Sequence, residues 1–272
     1  MNYTFTSTKI VDTEIFISSA WCKPLDGNNC EGLNTSDAVT WLTTSTSQGR
    51  VQEMPAISEN ILTREVPLVP EESALLFIDV QNFSAKREGA EFKDMSDEAF
   101  AESYGWFFDQ LNTRVIPNMQ KLQSGCRAAG VEVLYTTIES LTKDGRDRSL
   151  DYKITGFNVP RGSWDGKVID EIAPGEDEIV FPKSSSSVFV STHIDYVLRN
   201  LGVRQIVLSG LITDQCVESA IRDACDLGYL VTQVTDACLT YSQERHDHSL
   251  RTIKGYCRQV TTQQLLDELS IK

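Results

Sequence analysis

"QIVLSGLITDQCVESAIRDACDLGYLVTQVTDA", residues 205–237, joins an apolar, β-branched run to a turn bearing one cysteine, then an amphipathic stretch, then a second apolar run. The first run, 205–213, is near-continuously apolar, which reads as a strand buried on both faces. The pattern turns amphipathic around Cys216, and a new strand begins near Leu230. Strand, helix and strand in this order indicate a parallel sheet covered by helices. The open question is whether Cys216 is a packing residue or a nucleophile held at the start of a helix.

The same alternation extends outward. "ALLFID" (74–79), "VEVLYTTI" (131–138) and "DEIVFPK" (177–183) read as further buried strands. Between them lie "TRVIPNMQKLQSGCRAAG" (113–130), with Pro117 in a first turn and Gly130 past the end, and "STHIDYVLRNLG" (191–202), apolar at Ile194, Val197, Leu198 and Leu201. The expectation is a three-layer α/β/α domain over 71–272 with a central, mostly parallel sheet. Residues 1–70, rich in Thr, Ser and Asn with short apolar pieces such as "IFISSAW" and "AVTWL", read as an N-terminal extension. Ser184 to Ser187 read as a loop.

Composition narrows the partners. The 272 residues include 39 acidic and 25 basic side chains, a net charge of -14, which repels nucleic acid and anionic membrane surfaces and leaves small molecules or proteins. No run approaches the roughly 18 apolar residues of a membrane span. The first twenty residues lack a basic n-region, and Asp12 and Glu14 interrupt any apolar core of a signal peptide. A cytoplasmic chain is expected, although an unconventional export route is compatible with this composition. Seven scattered cysteines without C-x-x-C spacing fit reduced thiols, with a Cys22–Cys30 pair as the alternative. Cys126, Cys225, Cys238 and Cys257 read as core residues.

In an open parallel sheet, ligands bind beyond the carboxyl ends of the strands. Asp79 ends the first strand, Glu139 follows the second, Lys183 ends the third and Cys216 follows the fourth. Each has an ordinary reading when taken singly: a cap, a solvated charge, a small buried thiol. Together they place an acid, an amine and a thiol at one sheet edge, a set suited to acyl transfer. Lys183 and a helix N-terminus would favour thiolate, and Asp79 could take the thiol proton and return it to a leaving amine.

"ALLFIDVQNFS" (74–84), the lysine of "FPKSSSSVF" (181–189) and "SGLITDQCVESAIRDACDLGY" (209–229) resemble, in order and spacing, the three signatures of the isochorismatase-like cysteine hydrolases. The likeness spans about residues 70 to 268. It implies a catalytic triad of Asp79, Lys183 and Cys216, a non-proline cis peptide at Leu211–Ile212, an oxyanion hole from the Ile212 and Cys216 amides, and a homodimer or homotetramer. The nicotinamidase branch binds a metal through an Asp-x-His motif and a further histidine. This chain reads "TTIES" (136–140) there, so no metal and no other cofactor are expected, and His193, His246 and His248 read as surface histidines.

The long segment "ESLTKDGRDRSLDYKITGFNVPRGSW" (139–164) offers Arg146, Arg148, Tyr152 and Arg161 as a cationic wall for a small, carboxylate-bearing substrate, with Phe83 as an apolar wall and Glu139 at the strand end. The function expected is metal-independent cleavage of a C–N bond in a small amide, ureide or carbamoyl compound through a Cys216 acyl-enzyme. Hydrolysis of isochorismate, a vinyl ether, is the alternative that the family resemblance implies and that the arginine-bearing loop would suit; the siderophore-pathway isochorismatases resemble this chain at the Asp and Lys but lack the Cys, so the thiol favours the C–N reading. A binding protein that keeps the fold without turnover is a third reading, distinguished by ordinary thiol reactivity.

Overall fold

A computed structural model describes residues 62–270, which lie in the compact unit Ile61–Lys272. Of the separate unit Met1–Asn60 it describes the two-residue strands Lys9–Ile10 and Thr13–Glu14, paired antiparallel. The sequence readings for Cys22, Cys30 and the apolar pieces of the extension therefore fall outside the described residues.

Six strands form one all-parallel sheet: β1 (Ser73–Ile78), β2 (Glu132–Ile138), β3 (Val180–Lys183), β4 (Gln205–Leu211), β5 (Leu230–Leu239) and β6 (Arg258–Val260), in the order β3-β2-β1-β4-β5-β6. The chain starts in the middle, builds outward to β3, then returns to lay β4 on the other flank of β1. Connections leave β1 and β4 in opposite directions, which opens a crevice at their carboxyl ends.

Side-chain alternation explains why the central strands read as continuous apolar runs. Leu75 and Phe77 of β1 pack into one core with Leu111, Val115, Met119 and Leu122, while Ala74, Leu76 and Ile78 pack into the other with Leu198, Ala220 and Ile221. Both faces meet helices, so neither face is polar. The edge strand β3 shows the opposite, a buried–exposed alternation, and it accommodates Pro182 where no further ladder bond is needed.

On one face, α2 (Asp97–Gln110) runs through the π-helical turn Leu111–Val115 into α3 (Ile116–Ala129). Pro117 sits in the first turn of α3 and Gly130, at φ 77°, caps its end in the left-handed conformation. The four-residue α1 (Asn82–Ala85) follows β1 directly.

Candidate active site

Asp79 is the first residue beyond β1 and takes φ 53°, a left-handed conformation uncommon outside glycine. Its buried carboxylate is held by two groups. Oδ1 accepts from Thr136 Oγ1 of β2 at 2.8 Å, and Oδ2 lies 2.8 Å from Lys183 Nζ of β3. The latter contact is ionic, since Oδ2 takes no well-aligned hydrogen bond from any described group. Lys183 is fully buried, and its ammonium also faces Ser185 O at 2.8 Å, Tyr152 Oη at 3.2 Å and Cys216 Sγ at 3.4 Å. Burial works against the ammonium, yet the Asp79 carboxylate and the other partners override it and hold the Lys183 pKa above the ordinary lysine range.

Cys216 sits in a π-helical turn, Thr213–Val217, that leads into α4 (Glu218–Asp226). The Leu211–Ile212 peptide before it is cis. Three contacts pin this turn. Thr213 Oγ1 meets His246 Nδ1 at 2.9 Å, Thr240 Oγ1 donates to Asp214 Oδ1 at 2.6 Å, and Arg245 Nε donates to Asp214 Oδ2 at 2.6 Å. Gly210 lets β4 approach β1 here: at φ 145°, an added Cβ would lie 2.3 Å from the Ile78 carbonyl oxygen. Gly210, the Cys216 turn and Asp79 thus meet at the crevice between β1 and β4.

Burial opposes the thiolate that the lysine and helix end favour. Burial pushes Cys216 up to about 11, the Lys183 ammonium pulls it down, and the Asp79 carboxylate raises it again by charge.

A narrow cleft opens onto Asp79 and Cys216. Phe83, Ile138 and Phe157 form its apolar wall, Leu211, Ile212 and Gln215 its nucleophile side, and Ser84, Glu91 and Tyr241 the remainder. Sequence 73–264 matches the family described as "Isochorismatase domain".

The chain belongs to the isochorismatase family.

It is a hydrolase with that family's α/β fold. It is 30% identical over 209 residues to the ureidoacrylate amidohydrolase RutB of Acinetobacter baylyi, covering 70% of this chain and 80% of the relative. It is 28% identical over 223 residues to RutB of Rhizobium rhizogenes, covering 72% and 86%. Among solved structures it is similar to a cysteine hydrolase from Pseudomonas syringae pv. phaseolicola, with TM-score 0.64, 24% identity and coverage of 78% of this chain and 98% of that one.

The cationic wall expected of this isochorismatase-family chain is not where the sequence suggested. Arg146 is exposed and pairs with Asp144 at 2.9 Å, and Arg161 is exposed as well. Arg148 spends its guanidinium on backbone, donating to Phe157 O at 2.6 Å and Gly145 O at 2.9 Å, so it staples the loop rather than lining the cleft. Glu139 accepts from the Gly162 amide at 3.0 Å and likewise stands outside the cleft. Tyr152 is buried behind the site, its hydroxyl 3.8 Å from Cys216 Sγ; burial, then the neighbouring thiol, holds its pKa above the ordinary tyrosine range. Phe83 does line the cleft and meets Phe157 edge to face.

Other readings change too. His246 is buried, not superficial, and its pKa is lowered, by burial first and then by Arg114. Cys225 is only half-buried, whereas Cys126, Cys238 and Cys257 are buried in the core. Thr136, the Ser185 carbonyl, Glu91 and Tyr241 were missed altogether. Only Thr136 had a sequence signal, its place directly across the sheet from Ile78, one residue before Asp79. Among the described residues, no three or more His, Cys, Asp or Glu side chains group so as to hold a metal, and no helix is long and apolar enough to cross a membrane.

Proposed function

We propose that this hydrolase cleaves the C–N bond of a small amide, ureide or carbamoyl compound through a Cys216 acyl-enzyme, without a metal. The observation that carries the reading is the contact chain Asp79 Oδ2 to Lys183 Nζ at 2.8 Å and Lys183 Nζ to Cys216 Sγ at 3.4 Å, with Asp79 and Cys216 both lining one cleft. The amidohydrolase names of its relatives support the same chemistry.

Asp79 takes the Cys216 proton as sulfur attacks the carbonyl carbon, and the Lys183 ammonium faces the thiolate as it forms. The C=O π bond opens to a tetrahedral oxyanion, to which the Ile212 and Cys216 amides donate. The C–N bond then breaks, and Asp79 returns its proton to the departing nitrogen. Water attacks the thioester, giving its proton to Asp79, which passes it to the leaving sulfur and restores the thiol. Lys183 stays protonated throughout, so the carboxylate is the only group that shuttles the proton. Isochorismate cleavage would require no nucleophilic sulfur, and among the described residues no lysine or arginine lines the cleft to select a dicarboxylate, which favours the C–N reading.

The test is a panel of carbamoyl, ureido and carboxamide compounds plus isochorismate, with ammonia and pyruvate release read side by side. Ammonia release lost in Cys216→Ala and unaffected by EDTA is expected. Pyruvate release that persists in Cys216→Ala but not in Asp79→Ala would overturn the reading, and so would activity lost to EDTA and restored by zinc or iron.

A further inference from the structure

The cleft contains a carboxyl group that the proposed mechanism does not use. Glu91 lies in the segment between α1 and α2, beyond the end of β1 at Ile78. That segment is clamped: Arg87 donates to Phe92 O at 2.7 Å and Met95 O at 2.8 Å, and the Ala90 amide donates to Asp165 Oδ1 at 3.0 Å. Gly89 presses against the Asn82 and Phe83 carbonyls so closely that an added Cβ would fall 2.3 Å from either oxygen. The Glu91 carboxylate is therefore held, not left on a free loop.

Its one hydrogen bond among the described residues comes from the Tyr241 hydroxyl, which donates to Oε1; Oε2 receives none. Tyr241 follows β5 and is itself fixed by ring contacts with Tyr104 at 5.3 Å and Phe107 at 5.2 Å between centroids. Both Glu91 and Tyr241 line the same cleft as Asp79 and Cys216. No lysine or arginine among the described residues lines it with them. A cleft with an unmatched acceptor and no cation has a definite complement: a small molecule whose far end donates N–H and carries no negative charge.

We propose that Glu91 is the substrate-recognising group of this cleft, accepting a hydrogen bond from an amine or carbamoyl N–H at the end of the substrate distal to the scissile carbonyl, so that amine- or carbamoyl-ended amides are preferred over carboxylate-ended ones. The proposal rests on Cys216 being the nucleophile. It reverses the carboxylate-bearing substrate expected from the arginine-rich loop, because Arg146 and Arg148 are occupied elsewhere. Burial raises Glu91 to about 7, with the Tyr241 hydrogen bond pulling it back down, as fits a poorly solvated carboxylate that gains from a donor brought by the ligand.

The first test does not depend on turnover. Cys216 is modified at about pH 8, where a group titrating near 7 is mostly ionised, with a trimethylammonium-bearing and a sulfonate-bearing methanethiosulfonate in turn. The rate on the Cys216 peptide is followed by mass spectrometry and normalised to a free thiol. The expected result is a cation preference that falls about tenfold in Glu91→Gln, whose amide oxygen still accepts from Tyr241, and that survives in Tyr241→Phe. An unchanged ratio in a folded Glu91→Gln protein overturns the proposal. The second test is kinetic: Glu91→Gln should raise KM for an amine-ended amide about tenfold with kcat within about twofold. Wild-type preference for a carboxylate-ended ureide would overturn it. If the labelling ratio shifts as expected while no amide or ureide is hydrolysed, the Glu91 assignment stands and the proposed function fails.

Discussion

Replacing Lys183 with methionine isolates what the buried ion pair does. Both charged groups are almost wholly out of solvent, with side-chain exposures of 0% and 3%. Lys183→Met keeps most of the volume but leaves the Asp79 carboxylate with Thr136 as its remaining side-chain partner and Oδ2 facing apolar surroundings. Breaking a buried pair by removing one member costs about 3–5 kcal/mol, because the other charge is left uncompensated. At about 2–4 °C per kcal/mol for a domain of this size, the melting temperature should fall by about 6–20 °C. The Lys183 pKa is raised, so its stabilising contribution is complete below the ordinary lysine range and is lost only as pH rises beyond it; a scan near neutrality reads the whole effect. The partner experiment is Asp79→Asn combined with Lys183→Met. The amide can still accept from Thr136, no charge remains, and stability should return to within about 1–2 kcal/mol of wild type while activity stays absent. Differential scanning calorimetry on the two single variants and the double variant completes the cycle. A double variant as unstable as Lys183→Met would refute the reasoning, since the cost would then lie in lost packing and not in an orphaned charge.

Cys216→Ala should be inactive yet melt within a few degrees of wild type, because it removes one sulfur at a cleft wall; substantial residual turnover would end the acyl-enzyme mechanism. With the thiol pushed up to about 11, wild-type alkylation by iodoacetamide should be slow at pH 7 and climb about tenfold per pH unit toward that value, whereas a fast rate independent of pH would show a resting thiolate. Gly210→Ala should destabilise the protein by more than about 3 kcal/mol in urea titration and lower kcat, since the new methyl meets the Ile78 carbonyl and forces β1 from β4 beside Asp79; a shift under 1 kcal/mol would mean the crossing is easily relaxed. Arg146→Ala should leave kinetics unchanged, while Arg148→Ala should lose about 1–2 kcal/mol of stability and raise KM by releasing the Phe157 carbonyl and with it the cleft wall; equal effects of the two on KM would return both arginines to substrate contact.

How much of this was legible in the sequence depends on whether a residue's role is set by its place on the sheet or by what reaches it from elsewhere. The central strands could be read because both of their faces meet helices, so apolarity is continuous. β6 could not, because Arg258–Val260 is three residues long and carries no period. Helix α2 escaped for a related reason: "DEAFAESYGWFFDQ" mixes acids and aromatics, and its aromatics pack in a cluster with Phe92 instead of forming a clean stripe. Asp79, Lys183 and Cys216 could be gathered at one edge because strand ends in a parallel sheet share an edge. Direction and occupancy could not be read. Arg148 looks like a ligand for a carboxylate until the Phe157 and Gly145 carbonyls are seen to take its donors, and Glu91 meets Tyr241 across 150 residues with no motif at either end. Protonation is the deepest of these omissions. A lysine beside a cysteine suggests a thiolate only if the acid that shares the lysine is ignored. With Asp79 at 2.8 Å from the same ammonium, the positive charge is already matched, and burial raises the thiol further.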